Sequence, residues 1–316
     1  MAVSTGQPIP ELPSPSRKNR EVFRTVFEAN SKPRDFLSGL IPKVAADLTG
    51  LSFAVTEGKL VTANKHAEQP EGAALLLIDE LNRGPAVQLF GNAIVALESD
   101  KRLNDDDQVI EGSSFPFEIM GQNGVMKSCY LSSHLYIVAA MNQADVSVEP
   151  LDVAFIRRWT PFPLFPVPSL VRAKLEAAGP DAPMGPQPTT PGEVVEALVR
   201  AWESVNEQIE IGRGPEFKIG HGIIFSRAKA PLADVNQALD VAVACWRAIM
   251  AHVDEVFYGD PFGVAATLRA GTADGAYKLV SMPFGQEQRH VLRSPPELNR
   301  DNIYPLLQWV GRRQQS

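Results

Sequence analysis

Cysteine is nearly absent from this 316-residue chain: Cys129 and Cys245 are the only two, far apart and without C-x-x-C spacing. That excludes a disulfide framework and a zinc knuckle, and it points to a reducing, cytoplasmic setting. No run approaches the roughly 18 apolar residues of a membrane span, so no membrane association is expected. Charge of one sign is not in large excess. Thirty basic against 37 acidic side chains leave a net −7, so direct nucleic-acid binding through phosphates is not expected. The five histidines are scattered, with no H-E-x-x-H and no G-x-S-x-G to suggest a metalloprotease or a serine hydrolase. The first twenty residues hold four prolines and no apolar block, which excludes a secretory signal.

Proline, by contrast, is plentiful: 26 residues, about 8% against the usual ~5%. Four fall within residues 1–15 and ten between Pro150 and Pro191. A residue that can neither continue a helix nor donate to a ladder marks boundaries. The length and the 44% apolar content suit about two domains. The expected layout is a disordered Pro-rich leader at 1–20, an α/β core at 21–165, a Pro-rich linker at 166–191, and a helical segment at 192–316. The basic cluster Arg17-Lys-Asn-Arg20 reads as solvated linker, with a nucleic-acid contact as the lesser alternative.

Within the first part, apolar runs alternate with helical patterns. Val22 to Phe27 reads as a strand and Pro33 to Leu40 as a short helix opened by proline. Ala73-Ala-Leu-Leu-Leu-Ile78 and Leu135-Tyr-Ile-Val-Ala-Ala140 have the continuous apolar character of buried parallel strands. Between them, Pro85 to Leu97 places Val87, Phe90, Ile94 and Leu97 on one helical face. Residues 104–134 read as a hairpin insertion. Together these features give an α/β class with a mostly parallel sheet. Beyond the second proline cluster, Glu193 to Ile209, Ala233 to Phe257 and Ile303 to Val310 read as helices, with a turn or short strand at Phe217 to Phe225.

The segment richest in chemistry is Leu75-Leu-Leu-Ile-Asp-Glu-Leu-Asn-Arg83. A buried strand ending in adjacent carboxylates puts Asp79 and Glu80 at the carboxyl edge of the sheet, where α/β ligands bind. An equally simple alternative is an acidic pair that stabilises the start of a helix through its dipole.

The residues that follow carry a resemblance. Asp79-Glu-Leu-Asn-Arg-Gly84, the helix Gln88 to Glu98 and Ser99-Asp-Lys-Arg102 are similar to the AAA+ ATPases of the MoxR and McrB branch, and closest to McrB-like GTPase motors. Three further blocks fit in the right order. His134 to Asp145 looks like the strand carrying the sensor amide, here Asn142. Leu151 to Trp159 is similar to the segment with an arginine finger, and Glu216 to Phe225 resembles a lid segment in which His221 is a structural contact. Phe23 to Pro42 resembles the second strand and its helix. The resemblance implies a P-loop-type AAA+ core with a helical lid, using Mg²⁺ and ATP or GTP. It implies that Asp79 binds the Mg²⁺ shell and Glu80 polarises the attacking water. It places Asn82, Arg83 and Asp145 against the nucleotide, Asn142 at the γ-phosphate, and Arg157 or Arg158 in a neighbour's site. The simpler alternatives are an Asx-turn at Asn142 and a solvated basic helix end at Arg157-Arg158. Implied partners are ring neighbours, homo- or hetero-oligomeric, and an McrC-like nuclease or another client.

Some positions depart from the family pattern. Gln143 and Val146 stand where Thr and Arg are common, and Ile156 replaces the first of three arginines. No G-x-x-x-x-G-K-[ST] occurs anywhere in the chain. Its backbone amides and lysine would cradle the phosphates. The expectation is therefore a motor subunit truncated by roughly 30–40 residues at its N-terminus. The alternative is a nucleotide-incompetent scaffold that lends arginines to an intact neighbour.

Overall fold

The structure is a computed structural model, and it describes residues 17–44, 51–121, 124–144, 151–229, 231–270, 275–295 and 297–312. The chain divides into two compact units, Met1–Pro161 and Phe162–Ser316. Most of the leader expected at 1–20 lies outside the described residues. Its last part is ordered, and this corrects the solvated-linker reading of Arg17 to Arg20. Arg17 donates to the carbonyls of Ala67, Gln69 and Gly72 and pairs with Asp107 at 3.1 Å.

Unit 1 is built on a parallel sheet of three strands in the order β1-β4-β7. Its elements in chain order are β1 (Asn19–Val26), α1 (Pro33–Phe36), β2 (Ser38–Val44), β3 (Leu51–Glu57), α2 (Lys59–Ala67), β4 (Gly72–Asp79) and α3 (Ala86–Phe90). A 3₁₀ stretch (Gly91–Leu97) then leads to β5 (Phe117–Met120), β6 (Met126–Cys129), β7 (Leu135–Ala139) and α4 (Val153–Ile156). The central strand β4 is apolar from Gly72 to Ile78 because both of its faces are covered. On β1, only Phe23 and Thr25 turn inward, and its charged residues face solvent.

Two expectations need correction here. Residues 33–40 are helical only to Phe36, because the chain turns at once into an antiparallel β2–β3 hairpin. Gly58 ends that hairpin and opens α2; a Cβ there would lie 2.2 Å from the Phe36 carbonyl carbon. The helix read over Pro85 to Leu97 breaks at Gly91, whose φ of +50° suits a residue without Cβ. The break re-phases the buried face to Leu89, Phe90, Ala93 and Ala96, and Val87 is left exposed. The hairpin read within 104–134 is β5–β6, and Ser38 Oγ ties it to β2 by accepting the Met120 N–H at 2.7 Å.

Phe90 is the hub of the packing beneath the carboxyl edge of the sheet. Its ring meets Phe36 at 4.7 Å, Phe155 at 5.5 Å, Trp159 at 6.0 Å and Phe27 at 6.3 Å. These edge-on aromatic contacts hold α1, α3 and α4 around the tips of the strands.

Unit 2 is mainly helical: α5 (Pro168–Lys174), α6 (Pro191–Gly212), α7 (Gly222–Phe225), α8 (Val235–Val256) and α9 (Pro261–Thr267), then a β8–β9 hairpin (Lys278–Phe284, Glu287–Arg293) and α10 (Arg300–Val310). Phe217 to Phe225 holds a 3₁₀ turn and α7 rather than a strand. The stretch 166–191 is more than a linker, because α5 lies in it and buries Val171 and Leu175. Trp202 and Trp246 are fully buried, and their indole N–H groups donate to Ile219 O and to the Tyr277 hydroxyl. Among the described residues, no helix is long and apolar enough to cross a membrane.

Candidate functional site

The β1-β4 register pairs Val26 with Asp79, and Ile78 pairs with Ala139 of β7, so the three strands end together. Asp79 sits exposed at this edge, and its Oδ1 accepts the Glu80 N–H at 3.0 Å. Its second carboxylate oxygen has no partner among the described residues. Glu80 follows with φ +53°, a left-handed backbone that costs a residue with a Cβ about 1 kcal/mol or more. Neighbours on both sides hold that conformation. Leu81 N–H donates to Ala140 O at 2.9 Å, Arg83 N–H donates to Glu80 O at 2.9 Å, and the Arg83 guanidinium pairs with the Glu80 carboxylate at 3.3 Å.

Asn82 is turned inward and is almost fully buried. Its amide donates to Asn142 O at 2.9 Å, so it ties the tip of β4 to the turn after β7. Its Oδ1 is buried without a hydrogen-bond partner among the described residues. Asn142 is exposed, and its Oδ1 accepts the Ala144 N–H at 3.1 Å. That is the Asx-turn, and the amide nitrogen of Asn142 has no hydrogen-bond partner among the described residues. The turn and a ligand contact are therefore compatible. Asp145 lies outside the described residues.

The basic pair belongs to α4, which is N-capped by Asp152 through the Ala154 N–H at 2.6 Å. Phe155 buries the helix into the aromatic cluster. Arg158 folds back onto its own unit, where it pairs with Glu98 at 2.9 Å and donates to Ala154 O. Arg157 is exposed, with no partner among the described residues. Sequence reasoning missed this division of labour. Its signal was the terminal Glu98 of the first block, which serves here as the anchor for Arg158. Arg102, from the same block, is a buried clamp that donates to Leu97 O and Leu135 O.

Among the described residues, no group of three or more His, Cys, Asp or Glu side chains could enclose a metal ion. A lone strand-tip carboxylate fits Mg²⁺ nevertheless, since that ion keeps several waters and takes other ligands from phosphates.

No family model matches the chain. It is 25% identical over 262 residues to the type IV methyl-directed restriction enzyme EcoKMcrB subunit of Escherichia coli K12, covering 79% of this chain and 49% of that protein. The chain is thus similar to an McrB subunit over most of its length. A second relative, the type II restriction enzyme BsuMI component YdiS of Bacillus subtilis 168, is 37% identical over 87 residues, 27% of this chain and 25% of that protein. The chain thus spans about half the length of the first relative and less of the second. A crystallised candidate ATPase from Cytophaga hutchinsonii aligns at 14% identity over 79% of this chain and 68% of its own, with a TM-score of 0.27, too low to add to the assignment. The parallel β1-β4-β7 sheet and the mainly helical second unit give an α/β core followed by a helical unit. His221 acts as a structural contact in unit 2, where its Nδ1 accepts the Val167 N–H at 3.3 Å and its ring meets Phe225.

Proposed function

We propose that this chain provides the hydrolytic half of a nucleoside-triphosphatase site and completes the site of a neighbouring subunit in a ring. The observation that carries the reading is the strained backbone of Glu80 between Asp79 and the Asn82–Asn142 bridge. Unfavourable backbone held in place by several neighbours concentrates at functional sites. Asp79 holds the hydration shell of Mg²⁺, which supplies charge neutralisation to the triphosphate of ATP or GTP. Glu80, steadied by Arg83, accepts a hydrogen bond from the attacking water and orients it. The Asn142 amide donates to the γ-phosphate, and Asn82 fixes its loop to β4. Arg157 is free to reach a neighbour's nucleotide, while Arg158 keeps α4 in place through Glu98. Both relatives are named as parts of restriction enzymes, which supports a multi-subunit assembly with a nuclease partner of the McrC type.

A second reading is favoured by the absence of G-x-x-x-x-G-K-[ST] from these 316 residues. In it the chain binds no nucleotide and contributes only Arg157 to an intact neighbour. Calorimetric titration of the chain with ATP or GTP and Mg²⁺ separates the two: micromolar binding supports the first, and no binding supports the second. Mixing the chain with a phosphate-loop-bearing McrB-like relative tests the arginine. Arg157→Ala should lower stimulated phosphate release by about 10³-fold. If Arg157→Ala leaves it unchanged, the assignment of Arg157 fails.

A further inference from the structure

A cavity of about 510 Å³ lies within unit 2, bounded by α6, the C-terminal end of α10 and the loop at 179–185. That volume is in the range of small-molecule sites. Its walls are pinned. Arg200 Nη2 donates to the carbonyls of Gly179, Pro180 and Ala182, and Gln308 Nε2 donates to Gly185 O at 2.8 Å. Both ends of the loop are therefore tied to the helices behind it. Gly311 lets α10 end directly against α6, where a Cβ would lie 2.9 Å from Ala201 N. The apolar side is formed by Pro180, Ala182 and half-buried Met184, and it is closed by Ala197 and Leu307, which are fully buried.

The polar side is carried by two arginines. Arg200 lines the cavity with its Nε bound to Glu196 and its Nη2 bound to the loop. Its Nη1 is not buried and has no hydrogen-bond partner among the described residues. A guanidinium held on two nitrogens and open on the third is a preorganised donor. Arg312 supplies the second charge, with its guanidinium 4.7 Å from the Trp309 ring centroid. Asp181 is the one acid in the lining, so two arginines against one aspartate leave a net +1. We propose that this cavity binds a small monocarboxylate with an apolar body. The carboxylate accepts from Arg200 Nη1 and Arg312, and the apolar body lies against Met184, Pro180 and Ala182. A phosphate fits less well. It calls for more donors than these two side chains offer, and the helix end at the cavity is the C-terminus of α10, whose dipole disfavours a doubly charged anion. The cavity lies wholly in unit 2, so its ligand is separate from the nucleotide chemistry proposed for unit 1.

Fluorine NMR of para-fluorophenylacetate titrated with the full chain tests it. The acid should bind with a Kd of about 1 mM or tighter, as a ligand of its size allows. The neutral para-fluorophenylacetamide should bind about tenfold or more weakly, since it lacks the charge that the arginines meet. Arg312→Ala should weaken the acid about threefold or more, and Asp181→Asn should tighten it. Arg200 is left intact because it also holds Glu196. Met184→Trp fills the cavity from the loop side and should abolish binding, with an unchanged thermal unfolding midpoint showing that the fold is kept. If that variant unfolds, Arg312→Ala and Asp181→Asn, both at exposed positions, carry the test. Arg289→Ala removes the same charge from the β8–β9 ribbon and should leave binding as it was. No titration of the acid by ~10 mM, far beyond the expected Kd, overturns the inference. So do equal affinities for acid and amide, and so do equal losses from Arg312→Ala and Arg289→Ala, which would mean a general attraction of anions. Displacement of the acid by equimolar inorganic phosphate would assign the cavity to phosphate and overturn the carboxylate. Tighter binding of para-fluorobenzylammonium, lost in Asp181→Asn, would assign it to a cation and do the same.

Discussion

Glu196 on α6 and Glu80 beyond β4 are both carboxylates paired with arginine, and they are used in opposite ways. Glu196 is fully buried and both of its carboxylate oxygens are bonded by arginine. Its Oε2 accepts from Arg172 Nε at 2.9 Å, and its Oε1 accepts from Arg172 Nη2 and Arg200 Nε, each at 3.0 Å. Arg172 is also held by Glu203, and the two carboxylates, Glu203 first, push the guanidinium's pKa above its ordinary value. Arg200 Nη2 donates to the carbonyls of Gly179, Pro180 and Ala182. Glu80 is half-exposed on a strained backbone, with one i,i+3 partner and spare acceptors. The same contrast separates Arg158, which is tied down, from Arg157. Charge that is fully satisfied builds the fold; charge left with capacity is available to a ligand or a neighbour.

The largest test of that contrast lies in unit 2. Glu196→Ala leaves Arg172 and Arg200 without their shared buried carboxylate, and should lower stability by about 3–5 kcal/mol in urea denaturation. A loss within ~0.5 kcal/mol, typical of ordinary surface sites, would put Glu196 in the same class as Glu80. Next comes the alkaline limit. Burial pushes the Cys245 thiol to about 12, the Tyr277 phenol to about 12 and the Cys129 thiol to about 11. All three pKa values are raised in the folded state, so the folded chain binds these protons more tightly than the unfolded one. Their contribution is fully present below pH ~9 and is lost as pH rises toward ~12, by about 1.4 kcal/mol per pH unit for each group in its window. Urea midpoints should fall steadily from pH 9 to 11, and Cys245→Ala should flatten that fall. The native thiols should also resist iodoacetamide at pH 8.

Legibility in the sequence followed the same division. The apolar run of β4 and its terminal acids were readable, because a central parallel strand must be hydrophobic on both faces and must end in polar residues at the edge. The long α6 and α8 were readable for their sustained helical period. The break at Gly91 was not, since its φ is set by where Phe90 must pack, and that contact comes from Phe36, Phe155 and Trp159, distant in sequence. The β8–β9 hairpin was missed because alternation on a ribbon with one solvent face full of Met, Val and Phe does not look amphipathic. At the candidate site, the residue types were legible. The inward turn of Asn82 and the capture of Arg158 by Glu98 were not, since both depend on contacts about sixty residues apart.

Two smaller effects sharpen the comparison at the site itself. Glu80→Gly removes the Cβ from a left-handed position and gives up only an exposed ion pair. It should raise stability by a few tenths to about 1 kcal/mol while abolishing any hydrolysis that depends on the carboxylate. A stability gain without a functional loss would show that the strained backbone serves no chemistry.

The finest test sets the two neighbouring arginines against each other in the isolated chain. Arg158 is mostly covered, but Glu98 is more than a third exposed, so solvent screens their pairing and limits its worth. Arg158→Ala should therefore cost about 0.5–1 kcal/mol, part of it from the lost packing of the side-chain stem against α4. The Arg157 side chain makes no hydrogen bond or ion pair among the described residues, and Arg157→Ala should leave the urea midpoint where it was. Glu98→Ala provides the control: combined with Arg158→Ala it should add little, because the two variants remove the same interaction. Equal losses from Arg157→Ala and Arg158→Ala would mean that both arginines belong to the fold. The structure would then offer no reason to prefer Arg157 as the group extended toward a neighbour.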